Sequence, residues 1–183
     1  MILMKPHGSI QLLALAYLFT AALCIVTSQY RALGGEALTM DDRMWPTFSV
    51  GLFLMAAYTL AGGEQLMVSW LRGAARVEGW YELRRPIQLL VLAIVFAAAA
   101  PLFLRMWRAA SLSETPTALV MAVTGMGIMG IVFCLSLISY HHADTFMNRH
   151  LAGLRVSRWM ELSGLGLVCL GALRKLMLTY SLR

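Results

Sequence analysis

The chain has 183 residues, of which 60% are hydrophobic and only 13% are charged. A soluble domain usually has about 25% charged residues, because charge covers its water-facing surface. This composition therefore excludes an ordinary water-soluble domain. The net charge of +6 does not indicate a nucleic-acid partner, because the basic residues flank long apolar segments, as they do in membrane-protein loops near anionic lipids.

The first two apolar segments are long enough for membrane-spanning helices, which need about 20 residues. Ser9–Gln29 exceeds the apolar part of a secretory signal and no small-residue cleavage site follows it, so we expect a retained helix. The second segment begins at Pro46 and continues to about Leu71. We expect Pro46 in its first turn, with Asp41 and Asp42 just ahead of the positive helix end.

Two further segments begin at a proline in the same way. The third starts at Pro86 and reaches about Leu104, and Pro101 is expected to kink or end it. The fourth runs from Pro116 to about Tyr140, with Thr115 as its N-cap. No strand alternation or repeat competes with these helices. The sequence predicts an all-α integral membrane protein whose residues 1–140 form a domain of four transmembrane helices.

The remaining residues, 141–183, hold one shorter apolar run, Leu162–Leu173, and runs of this length are often interfacial. If the tail stays on the side of the N-terminus, 11 basic residues lie inside and 4 outside; if it crosses, the split is 8 and 7. Cytoplasmic loops carry the excess of Lys and Arg. We therefore favour four spans, a C-terminal interfacial helix and a cytoplasmic N-terminus, with a fifth membrane helix as the alternative.

A polar cluster with candidate metal ligands follows the fourth segment: His141, His142, Asp144 and His150. Imidazole and carboxylate are ligands that Zn²⁺ and iron accept. However, two histidines at i, i+4 are absent from this cluster, and His7 is the only other histidine, so neither a metal nor a haem site is expected. A polar collar where the helix leaves the lipid explains the cluster. We expect that the chain binds no cofactor and is not an enzyme. The alternative is a membrane metalloenzyme that uses this cluster.

Partner contacts are predicted at two places. Glu64 follows two glycines in the second segment, and an intramembrane carboxylate is a functional hypothesis by default. Counted from Pro46 it lies about 27 Å along the helix, near the inner interface, where water could also solvate it. In the fourth segment Thr124, Gly127 and Gly130 share a face, and small residues allow close helix packing. We expect this stripe to contact another helix of this chain or of a partner.

The order of motifs over residues 1–140 resembles the small membrane subunit of tripartite ATP-independent periplasmic (TRAP) transporters. The resemblance rests on acidic residues before the second helix, a Gly-Gly-Glu sequence near its inner end, a basic loop into the third helix and a Glu-Thr-Pro sequence that opens the fourth. The residues are Asp41-Asp42-Arg43-Met44-Trp45, Gly62-Gly63-Glu64-Gln65, Arg84-Arg85-Pro86 and Glu114-Thr115-Pro116.

This resemblance implies four helices with both termini inside, in the bacterial inner membrane. It also implies a role as a non-catalytic subunit supporting a larger membrane subunit, which performs sodium-coupled uptake of organic anions. The alternative from the residues is an unrelated accessory or self-associating membrane protein.

Overall fold

The computed structural model describes residues 6–33, 39–63, 66, 69, 84–138, 147, 149–151 and 154–181. Within these residues the chain forms five helices and one two-residue β-ladder. The elements are α1 (Pro6–Leu33), α2 (Met40–Leu60), α3 (Arg84–Ser111), α4 (Pro116–Ile138), β1 (His150–Leu151), β2 (Leu154–Arg155) and α5 (Val156–Ser181).

Four helices are long and apolar enough to cross a membrane. These stretches are Ile10–Tyr30 of α1, Ala93–Ser111 of α3, Pro116–Ser136 of α4 and Val156–Ser181 of α5. This finding confirms the prediction of a multi-helix chain with membrane-compatible segments. The second helix, α2, is not in this set, since it begins with charged residues and continues through Trp45 and Pro46.

The start of α2 differs from the sequence prediction. The helix begins at Met40, so Pro46 lies inside it and the two aspartates lie within its first turn. The reason is a local hydrogen bond, because the backbone N–H of Thr39 donates to Asp42 Oδ2 over 2.9 Å and fixes the N-terminus there. The third helix also differs, because it continues through Pro101 to Ser111.

The C-terminal helix is much longer than the apolar run at Leu162–Leu173. It has 26 residues, Val156–Ser181, and is about 39 Å long at 1.5 Å per residue. It packs along the length of α4 and also contacts α1. Those contacts and its length favour the alternative of a fifth membrane helix over the interfacial helix.

The packing of α5 on α4 is antiparallel and uses glycine at two points along the pair. A Cβ atom on Gly125 would collide with the carbonyl oxygen of Gly164, and a Cβ on Gly171 would lie 2.5 Å from that of Ala118. Glycine at these positions lets the two backbones approach closely, as in other membrane helix pairs.

The helices are arranged in the lateral order α2, α1, α5, α4 and α3, with a smaller contact between α2 and α4. The core between them is made of buried residues such as Tyr17, Trp45, Phe48, Leu119 and Val168. In contrast, α3 adds mainly its second half to the packing, through Phe103, Met106, Trp107 and Ala110.

The bundle has two ends, named here by a residue at each. At the Lys175 end lie the start of α2, the start of α4 and the last turns of α5. At the Arg158 end lie the first turns of α1 and α5 and the last turns of α2 and α4. The helices α2, α4 and α5 therefore reach from one end to the other, and α1 begins at the Arg158 end.

Candidate functional site

A buried charged cluster lies at the Lys175 end. The Nζ atom of Lys175 is 3.4 Å from Asp42 Oδ1 and 3.7 Å from Asp41 Oδ2. The lysine is only 2% exposed, and both aspartates are buried as well. Charged side chains are almost never fully buried unless they are paired, so the three residues stabilise one another.

Hydrogen bonds hold each aspartate in place. Asp42 Oδ2 accepts from both the backbone N–H and the hydroxyl of Thr39, each over 2.9 Å. Asp41 Oδ2 accepts from the backbone N–H and the hydroxyl of Thr115, each over 3.1 Å. The cluster therefore connects the starts of α2 and α4 to α5, three helices that are far apart in the chain.

The position of the cluster is electrostatically favourable. Its two carboxylates and one ammonium carry a net charge of −1, and both carboxylates lie at helix N-termini, where the backbone dipole is positive. Thr115 stands in the N-cap position of α4 as predicted, but its hydroxyl donates to Asp41. The arrangement is suited to locking α5 against α2 and α4.

Sequence reasoning missed this cluster. It placed Asp41 and Asp42 near a helix end but gave them no partner, and it counted Lys175 only as a basic residue of the tail. The sequence offered little signal, because Lys175 follows Arg174 just after the apolar run Leu162–Leu173, where basic residues usually face water.

Three of the four residues weighed as metal ligands and not expected to bind one, His141, His142 and Asp144, lie outside the described residues, as does Glu64. His150 is described: it is exposed and pairs with Arg155 in the β-ladder. Among the residues that the structure describes, no group of three or more His, Cys, Asp or Glu side chains could hold a metal ion.

The predicted stripe on α4 is placed as follows. A Cβ on Gly127 would lie 2.5 Å from the ring of Phe103 in α3, whereas a Cβ on Gly130 would have no described atom within 4 Å. The hydroxyl of Thr124 donates to the carbonyl of Val120 in its own helix, over 2.7 Å. The closest approach to another helix instead uses Gly125, against α5.

The chain was also compared with known proteins. No family model matches it, and neither the curated proteins nor the solved structures yield a match.

Proposed function

We propose that this chain is a non-catalytic small membrane subunit that binds a larger membrane subunit through α3. The observation that supports the proposal is the exposure of that helix. Every residue from Ala93 to Ala100 is exposed, so this segment projects away from the other helices on all sides. The segment includes the four consecutive alanines 97–100.

The physical argument comes from how helices associate in lipid. Lipid tails are as apolar as leucine, so association depends on close packing, which small residues permit. Four consecutive alanines place only methyl groups around the axis of α3, so a partner helix can approach its backbone closely from any direction. The packed half of α3, around Phe103 and Trp107, fixes this segment to the rest of the bundle.

The proposed topology has five crossings with the N-terminus inside the cell, in the inner membrane of a bacterium. It includes α2, which is less apolar than the other four helices, because the start and the end of α2 lie at opposite ends of the bundle. With α5 crossing, the Arg158 end is inside and the Lys175 end is outside. The basic residues then divide 8 inside and 7 outside. The excess of one basic residue is on the side of the N-terminus, and we propose that this side is the cytoplasm.

Cysteine-accessibility labelling tests this topology. A cysteine at Gly73 should be labelled only after the membrane is permeabilised, and a cysteine at Gly35 should be labelled from outside. A reporter fused after Arg183 should be outside. A cytoplasmic reporter would contradict the fifth crossing, whereas external labelling at position 73 would contradict the orientation.

In its finer form the proposal follows the resemblance described above. The partner would be the large subunit of a sodium-coupled transporter of organic anions, with the present chain as its scaffold. A fifth crossing is a departure from the four-helix arrangement of that family. The partner should therefore be identified directly, by its size and its number of membrane helices.

The experiment is affinity purification of the full chain in mild detergent, followed by mass spectrometry. We expect one larger polytopic membrane protein in near-equal amount. The double variant Ala97→Phe with Ala100→Phe should reduce its recovery at least tenfold, because two bulky rings separate the helices.

Two exposed alanines on other helices give a matched control. The double variant Ala22→Phe with Ala57→Phe makes the same chemical change on α1 and α2 and should leave recovery unchanged. Equal recovery with the α3 variant and with this control would refute docking through α3. Failure to recover any larger membrane protein with the wild-type chain would refute the subunit function.

A further inference from the structure

A cavity of about 400 Å³ opens at the Arg158 end, between α1, α2, α4 and α5. It reaches inward along α1 from Gln11 to Tyr17, which is about 9 Å at 1.5 Å per residue. Its volume is in the range of small-molecule sites, roughly 300–1,000 Å³. Neither the charged cluster nor the exposed segment of α3 borders it.

The hydroxyl of Tyr17 gives the cavity one unused polar group. Tyr17 is 0% exposed and lines the cavity. In the part of the chain that the structure describes, no atom forms a hydrogen bond with this hydroxyl. A buried hydroxyl without a partner is unfavourable, so a ligand that accepts its hydrogen bond would gain affinity at this point.

The charges around the cavity favour a neutral ligand. Arg158 and Glu161 line it and form an ion pair, with Nη1 donating to Oε2 over 2.8 Å. The pair has no net charge, so it compensates the buried charge of neither an anion nor a cation.

The apolar part of the lining favours a ring. Tyr58 and Phe133 form an edge-to-face pair with ring centroids 5.1 Å apart, and both border the cavity. Met55 and Ile10 add aliphatic surface. Aromatic rings of a ligand interact favourably with such edges and faces.

We propose that this cavity binds a neutral, ring-bearing carbonyl compound of the quinone class. The Tyr17 hydroxyl donates to a carbonyl oxygen, and the ring lies beside Tyr58 and Phe133. This site is independent of the partner surface on α3.

The test is equilibrium binding of decylubiquinone to the full chain in lipid nanodiscs, with empty nanodiscs as the baseline for partitioning. Wild-type protein should show saturable binding with one site per chain. Tyr17→Phe should raise the Kd about tenfold, because it removes one hydrogen bond and keeps the ring. Tyr180→Phe, the same change at a residue that is 73% exposed, should leave the Kd unchanged.

Three further measurements make the result specific. Decylbenzene, which has the ring and tail but no carbonyl, should bind at least tenfold more weakly than decylubiquinone. Ser136→Phe should abolish binding by filling the cavity that Ser136 lines. Ligand-free Tyr17→Phe should have a thermal midpoint equal to or above that of the wild type, since an unpartnered hydroxyl is replaced by hydrogen.

Several outcomes would overturn the proposal: no saturable binding, an unchanged Kd for Tyr17→Phe, equal binding of decylbenzene, or full binding by Ser136→Phe. A clear fall in the thermal midpoint of ligand-free Tyr17→Phe would also overturn it, because the hydroxyl would then have a structural bond.

Discussion

The helices α3 and α5 have the same apolarity and opposite environments. Their apolar stretches both have a mean hydropathy of 1.4, yet 6% of the residues in the α3 stretch are buried and 33% in the α5 stretch. Hydropathy determines whether a helix can enter the bilayer, and other features determine what it packs against once there.

The features that differ are small residues and a charge. In α5, Gly164 and Gly171 face the backbone of α4, and Lys175 pairs with two aspartates. In α3, packing on α4 comes from large side chains such as Phe103, while the alanines 97–100 meet none of the described helices closely. Close packing and the buried ion pairs of Lys175 hold α5 inside the bundle. The exposed half of α3 has neither feature, which leaves it available to the proposed partner.

The largest predicted effect is at Lys175. Lys175→Ala leaves two carboxylates buried without their cation, and removing one member of a buried ion pair typically costs about 3–5 kcal/mol. We expect a much lower thermal midpoint in detergent. Arg174→Ala, at an exposed neighbouring position with the same charge, should have little effect.

A rescue experiment separates charge from packing. Lys175→Met in combination with Asp41→Asn and Asp42→Asn removes all three charges and preserves most of the volume. Neutral replacement of a buried charged group is often tolerated, so we expect this triple variant to be more stable than Lys175→Ala. If Lys175→Ala is as stable as Arg174→Ala, the cluster does not hold α5 in place.

The sequence predicted the parts of the fold that depend on local information. Long apolar runs placed α1, α3 and α4, and Pro116 marked the first residue of α4. Hydrogen bonds and ion pairs between distant residues were not predictable in this way. The pairing of Asp41 with Lys175 is such a contact, because it joins residues far apart in the chain. The early start of α2 is different, because it depends on a local contact between Thr39 and Asp42 that their capping-box spacing could have indicated.

The C-terminal helix illustrates the same limit. Its first turns contain Arg158 and Glu161, and these charged residues interrupt the apolar pattern, so the predicted run begins only after them. In the folded chain these two residues neutralise each other, and Trp159 Nε1 donates to the carbonyl of Leu151 over 2.8 Å. Local polarity therefore shortened the predicted helix, whereas tertiary contacts extend it.

The second prediction concerns the close approach of α5 to α4. Gly171→Ala places a methyl group against the carbonyl of Ala118, and such overpacking costs about 1–3 kcal/mol. Gly166→Ala is the matched control, because a Cβ there meets no described atom within 4 Å. Alanine favours a helix over glycine by about 1 kcal/mol, so the control should be neutral or stabilising. Equal thermal midpoints for the two variants would show that α5 is not held by close packing at Gly171.

A smaller effect is expected at the start of α4. Thr115→Val removes the hydroxyl that donates to Asp41, while the backbone N–H of residue 115 still donates to the same oxygen. The loss should be about 1 kcal/mol, the typical net contribution of one hydrogen bond. Thr117→Val, at an exposed position of the same helix, is the comparison. If Thr115→Val and Thr117→Val have the same unfolding free energy, the hydroxyl contributes nothing to the cluster.

The smallest effect should come from the exposed side of α3. Leu102 is 62% exposed, so Leu102→Ala removes few contacts within the chain and should change the unfolding free energy of the isolated protein by less than about 0.5 kcal/mol. Leu165→Ala in α5, where the side chain is only 4% exposed, is the positive control, with a loss of about 2–5 kcal/mol from the cavity it creates. Both variants should be measured by thermal and denaturant unfolding of the isolated chain in the same detergent.

A loss above about 1 kcal/mol for Leu102→Ala would exceed what is usual for an exposed substitution. It would mean that α3 makes contacts within the chain beyond those with α4. The contrast between α3 and α5 would then no longer support a docking surface on α3.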